Sequence, residues 1–252
     1  MRHWFAILLL LPLATLSAAD TPATARPVVV ELFTSQGCSS CPPADALLGR
    51  LAKRDSIIAL SLHVDYWNRL GWTDPFAKAQ FSDRQRAYAE ELEDENPYTT
   101  GVYTPQIVVD GRYAVVGHVA DRVRAAIERA GNEAVSLRPR LIGESPEQVH
   151  LPAARQTDPE QPATVWLITY DDRHTTAVEN GENGGRELTN HHVVRSMHRI
   201  GTWDGEEARL MLDVPDSALD ARDGVVVLVQ SGRGGAIVGA AEHRLRDVQT
   251  HH

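Results

Sequence analysis

Cys38 and Cys41 are the only cysteines in the 252-residue chain, and they sit together in the string Cys38-Ser39-Ser40-Cys41. Thiols at this spacing can exchange with a disulfide, close a small structural loop or hold a soft metal. A four-residue disulfide loop stabilises a fold by about 2 kcal/mol, against about 4.7 kcal/mol for a 100-residue loop. A structural staple is therefore better placed between distant cysteines, and exchange chemistry is the stronger reading. Tetrahedral zinc wants four ligands and there is no second CxxC. Copper(I), taken by both sulfurs with His63, would make the chain a metallochaperone.

Exchange needs one thiol that attacks and one that resolves. Cys38 takes the first role and Cys41, on the inner side, the second. The positive end of a helix contributes about 0.3–2 kcal/mol toward a thiolate, or at most about 1.5 pKa units. Ser39 and Ser40 can add hydroxyl or backbone N–H bonds to the sulfur. No cofactor and no metal is implied, because the disulfide itself carries the electrons.

The elements around the pair are legible from pattern. Val28 to Phe33 is a β-branched and apolar run that suits a buried strand. Pro42 and Pro43 fit a first helical turn, and Ala44 to Lys53 continues that helix. Ser56 to Val64 reads as a second strand and Asp74 to Leu92 as a helix with Pro97 beyond it. Gln106–Val109, Asp110-Gly111 and Arg112–Val116 read as a hairpin. Asp121 to Ala130 is a further helix closed by Gly131.

The order β, α, β, α, β, β, α with CxxC between the first strand and helix resembles the thioredoxin superfamily, as does Tyr103-Thr104-Pro105 before the hairpin. That resemblance implies a cis Thr104–Pro105 bond facing the cysteines. VVVELFTSQGCSSCPPADALLGRLA, HVDYWNRLGWTDPFA and YTPQIVVDG are similar to a narrower family of exported bacterial proteins, catalogued as a domain of unknown function. The likeness extends through Gly181-Glu182-Asn183 and His192-Val193-Val194-Arg195. It implies the fold and no established activity.

Glu31 is the one ionisable residue in the first strand. Relatives of the fold place a buried acid near this point as proton acceptor for the resolving cysteine; an outward-facing polar residue is the plain alternative. Aromatics crowd the stretch from Tyr66 to Tyr113. They either pack a helical insert over about 66–97 onto the sheet, or Trp67, Trp72 and Tyr103 line a groove for a protein substrate. His63 and Asp65 end the second strand and could join the site. His191, His192 and His198 read as surface or packing residues, since neighbours on a strand face opposite ways.

After Gly131 the texture turns to prolines and short β-type runs: 164–170, 207–214, 225–230 and 236–241. The expected architecture is an α/β thioredoxin-like domain (βαβαββα) over 26–131, followed by a smaller β-rich, sandwich-like domain over 145–250. On that division a fragment ending near Asn132 is expected to fold alone.

At the N-terminus Arg2 and His3 precede an apolar run from Trp4 to Leu13, and Ser17-Ala18-Ala19 offers a cleavage site. Residues 1–19 read as a signal peptide, giving a periplasmic or secreted protein with no membrane span after cleavage. The formal charge of −9 argues against nucleic acid and anionic lipid as partners. The expected function is thiol–disulfide oxidoreductase acting on protein thiols or disulfides, with or without a dedicated redox partner protein. A non-catalytic binding module is the alternative.

Overall fold

A computed structural model describes residues 26–92, 101–133, 137–155, 161–212 and 223–245. The signal segment 1–19, the end of the insert at 93–97 and Tyr98 lie outside them. The first half runs β1 (Val28–Thr34), α1 (Pro42–Leu51), β2 (Ile57–His63), a 3-10 turn (Asn68–Leu70), α2 (Ala79–Glu91), β3 (Gln106–Val109), β4 (Tyr113–Val116) and α3 (Ala120–Gly131). That is the order read from the sequence. α2 starts later than expected: the Asp74 carboxylate takes the Phe76 N–H at 3.0 Å, Pro75 follows it, and Lys78 is still extended. The hairpin turns at Asp110 and Gly111, both at positive φ, and Arg112 N–H closes it on the Val109 carbonyl.

The second half adds β5 (Arg140–Ile142), β6 (Gln148–Leu151), β7 (Ala163–Val178), β8 (Arg186–Trp203), β9 (Ala208–Met211), β10 (Gly224–Gln230) and β11 (Ile237–Arg244). The molecule is a mixed α/β fold with a large mixed sheet and few helices. Among the described residues one sheet has eight strands in the order β11-β10-β7-β8-β2-β1-β3-β4, and β5-β6-β9 form a small second sheet. The separate β-rich domain over 145–250 is not seen. β8 lies beside β2 in parallel, with Ser61 opposite Val193, so strands from 26–131 and from 145–250 share backbone hydrogen bonds. β7 and β8 are a long antiparallel ribbon whose turn reaches back over the first half.

Side-chain alternation sorts the large sheet into faces. On β1, Val28, Val30 and Leu32 pack with Ala44, Leu48, Val123 and Ile127 under α1 and α3. Val29 and Phe33 point the other way, into a core with Phe81 and Tyr88 of α2 and with Ile168, Val194 and Val226 of the second half. β2 follows suit, with Ile58, Leu60 and Leu62 in that second core. This leaves His63, which pairs with Thr34, on the α1 face.

Candidate active site

The cysteines fall where β1 hands over to α1. Cys41 is the N-cap of α1, and its carbonyl accepts the Ala44 and Asp45 N–H groups at 2.8 and 3.1 Å. Pro42 and Pro43 occupy the first turn, where a missing N–H leaves no helical bond unmade. Both thiols are free and buried, Cys38 at 1% exposure and Cys41 at 0%, under the exposed residues Ser39 and Ser40.

The two sulfurs are driven apart in acidity. A hydrogen bond from the Cys41 thiol brings Cys38 down to about 6; burial opposes this, and the Ser40 hydroxyl, Thr104 and the Ser40 N–H assist. Ser40 Oγ is 3.2 Å from Cys38 Sγ. Burial pushes Cys41 up, and the same hydrogen bond to Cys38 and the charge of Asp45 add to the rise. Opposite Cys38 the Thr104–Pro105 bond is cis, and the Thr104 carbonyl accepts the Cys38 S–H at 3.8 Å. The Trp67 indole N–H donates to Thr104 Oγ1 at 2.8 Å, and the Trp72 indole N–H donates to Gln36 Oε1 at 3.2 Å. The structure thus brings Cys38, Cys41, Thr104, Pro105, Trp67 and Trp72 together. Tyr103 is half-buried beside them, its carbonyl held by the Gln85 amide.

Glu31 is not part of this group. It lies on the opposite face of β1 from α1, fully buried, where its carboxylate accepts both Arg84 Nε–H (2.6 Å) and the Tyr88 hydroxyl. The acid facing Cys41 is Asp45, one helical turn along α1. Burial raises Asp45 to about 7, against the pull of His63 and a 3.0 Å hydrogen bond from Thr34 Oγ1. Sequence reasoning did not single out Asp45. Its signal was the four-residue spacing from Cys41, which puts both on one side of the helix.

Next to Asp45 is a buried pair. His63 Nδ1 is 2.7 Å from Asp74 Oδ2. Burial pulls His63 down, but the Asp74 charge overrides it and the net direction is up. Burial likewise works against the Asp74 carboxylate, yet His63 and the Gln36 and Phe76 N–H groups hold it below its ordinary value. Asp65 stays out of the site, exchanging hydrogen bonds with Ser82 of α2.

The second half of the chain closes the site from above, which sequence reasoning missed. In the β7–β8 turn the Asn183 amide donates to the carbonyls of Gln36 and Cys38, both at 2.9 Å. Glu182 Oε2 accepts the Ser39 N–H at 2.9 Å, and Asn190 Oδ1 accepts the Gln36 side-chain N–H at 3.0 Å. Nothing local marks these contacts, since about 145 residues separate the partners. His191 and His192 do face opposite ways: the His191 ring fills the space beside Gly49 of α1, and His192 stacks on Tyr170.

The comparisons with known proteins agree with this picture at the level of family and fold. The model of the family described as "Protein of unknown function (DUF1223)" matches residues 29–230, and the chain belongs to that family. It is similar to a protein from Agrobacterium tumefaciens solved by X-ray crystallography as a structural-genomics target, with 32% identity and a TM-score of 0.71. That match covers 90% of this chain and 98% of the other. HBP35 of Porphyromonas gingivalis shares the fold alone, with 14% identity, a TM-score of 0.56, and 88% and 76% of the two chains covered. No curated protein matches the chain.

Proposed function

We propose that this chain is an exported thiol–disulfide oxidoreductase on a thioredoxin-like framework, with Cys38 attacking and Cys41 resolving. One arrangement carries the reading: two free, buried thiols share the loop at the N-terminus of α1, Ser40 Oγ lies 3.2 Å from Cys38 Sγ, and Asp45 faces Cys41. These surroundings drive Cys38 down to about 6 and Cys41 up. The low value supplies thiolate at neutral pH, and the high one keeps the second thiol protonated until it is needed. A purely structural pair has no use for that asymmetry. The element order and the cis proline opposite the thiols support the framework, and the signal-like segment 1–19 supports export to the periplasm or beyond.

In the reducing direction the Cys38 thiolate attacks one sulfur of a partner disulfide. A Cys38–partner S–S bond forms, the partner's own S–S bond breaks, and the departing thiolate takes a proton from water. Cys41 then passes its proton to the Asp45 carboxylate and attacks Cys38 Sγ. The Cys38–Cys41 bond forms, and the second partner sulfur leaves as a thiolate that water protonates. Two electrons pass from the dithiol to the partner, and the reverse sequence oxidises a partner dithiol. Asp45, poised at about 7, has the pKa a base needs at neutral pH. Trp67, Trp72 and Tyr103 offer the surface on which a protein thiol or disulfide rests.

Equilibration with glutathione buffers, read by thiol labelling, gives the potential of the pair, and a disulfide-bonded protein substrate gives turnover. A pair that titrates reversibly and turns over, with Cys38→Ser inactive, is the expected result. A pair that stays in one state and turns nothing over contradicts the reading and favours the non-catalytic binding module.

A further inference from the structure

The β7–β8 turn makes three hydrogen bonds to the segment Gln36–Ser39, and Asn190 of β8 adds a fourth. Asn183 is fully buried, and its single amide nitrogen bridges two main-chain carbonyls, those of Gln36 and Cys38. Its own Oδ1 accepts an Arg186 Nη1–H at 2.6 Å, so the amide cannot be the other way round. Glu182 takes the Ser39 N–H and Asn190 the Gln36 side chain. The Gln36 N–H is held separately by Asp74 at 2.8 Å. Every backbone polar group named here lies within two residues of Cys38.

We propose that Asn183 is a positioning residue for the Cys38 thiol, and that the redox site is incomplete without the β7–β8 turn. This rests on the thiol-exchange reading above and deepens it. Of the groups that favour the Cys38 thiolate, the Cys41 thiol, the Ser40 hydroxyl and the Ser40 N–H lie in the loop 38–41, and Thr104 faces it from the hairpin side. The aim of the three loop groups depends on the plane of the Cys38–Ser39 peptide. The Cys38 carbonyl is fixed by the Cys41 N–H at 3.2 Å and by Asn183. Without Asn183 two buried carbonyls lose a donor and turn to find another. The peptide plane turns with them, and Ser40 no longer points at the sulfur.

Alanine at 183 also changes no charge. The titratable groups around the loop are Cys41, Asp45, His63, Tyr66 and Asp74 from the first half, and Glu182 and Arg186 from the turn; all remain. Alanine does release the Arg186 guanidinium from Asn183 Oδ1, so Arg186→Ala is the charge control: a Cys38 midpoint that moves in Asn183→Ala and not in Arg186→Ala reports geometry. Glu182 is exposed, and its carboxylate accepts the Ser39 N–H.

The test is the pH midpoint of Cys38 alkylation in the reduced full chain, with iodoacetamide as probe and circular dichroism as the check on folding. Asn183→Ala is expected to move the midpoint up from about 6 toward the ordinary thiol value of about 8.5. A midpoint of about 8 already lowers the rate at neutral pH about tenfold. A folded Asn183→Ala protein with an unmoved midpoint overturns the proposal, whatever its melting temperature does. If Asn183→Ala does not fold, Asn183→Ser, which keeps one donor for the two carbonyls, decides: a raised midpoint supports the proposal and an unmoved one overturns it. A parent protein with no depressed midpoint would sink both this proposal and the thiol-exchange reading. A depressed parent with an unmoved variant sinks this one alone.

Discussion

Asp45→Asn separates what the buried acid does for chemistry from what it does to stability. Burial lifts the Asp45 carboxyl from the ordinary 3.8 to about 7, so the native state holds a proton that the unfolded chain releases near pH 4. For an acid whose pKa is raised on folding, stability is full below the unfolded value and is lost as pH climbs through the folded one. Between about pH 4 and pH 7 the reduced protein therefore loses up to about 4 kcal/mol, at 1.36 kcal/mol per pKa unit. Asparagine keeps the acceptor for Thr34 Oγ1, 3.0 Å away, and has no proton to lose. Urea unfolding under reducing conditions should give the same stability for parent and variant at pH 4. Above pH 7 the variant should be the more stable by up to about 4 kcal/mol. In single-turnover exchange the variant should accumulate the mixed disulfide, because resolution by Cys41 loses a base worth about 10²–10⁴ in rate. Stability curves that stay parallel at all pH would show that Asp45 is not protonated in the native state near neutral pH, and a variant that resolves as fast as the parent would show that it is not the base for Cys41.

Glu31→Gln should behave in the opposite manner: it leaves the buried Arg84 guanidinium without its carboxylate. Breaking such a pair costs about 3–5 kcal/mol, or about 6–20 °C in melting temperature for a chain of this size, while the Cys38 alkylation midpoint stays put. A lost stability with slowed Cys41 resolution would restore Glu31 to the site. Truncation after Asn132 removes β8 from the edge of β2 and Asn183 from the thiol loop, and the fragment should aggregate or stay unfolded by circular dichroism. A soluble, folded and exchange-competent fragment would contradict the shared sheet.

The first half of the fold was legible because short apolar runs alternate there with strong punctuation. Pro42-Pro43 starts a helix, Asp110-Gly111 turns a hairpin and Gly131 closes α3. β10 is a run of valines and read equally well. β8 did not show, since Arg186–Trp203 mixes Asn, His, Arg and Ser with its apolar residues, and bulges against β7 near Trp166 and Tyr170 break the two-residue period. The parallel contact of β2 with β8 has no local signature at all, so two textures were read as two domains. In the site, residue types and spacing were enough for Cys38 and Cys41, the crowding of aromatics pointed to Trp67 and Trp72, and Thr104 and Pro105 came from the resemblance to the thioredoxin superfamily. Alternation along β1 does place Glu31 opposite Thr34. Which face carries α1 is a tertiary fact, and so the acid was sought on the wrong side. Asn183 and Glu182 act across the chain and leave no trace in sequence beyond a Gly-rich turn.

The loop that the two thiols share sets their acidities apart. Limiting alkylation of the reduced protein over a range of pH, followed by peptide mapping, measures this directly. Cys38 should label first, with a midpoint near 6, and Cys41 should stay protected well above neutral pH. Labelling of Cys41 ahead of Cys38, or a common midpoint near the ordinary thiol value of about 8.5, would contradict it.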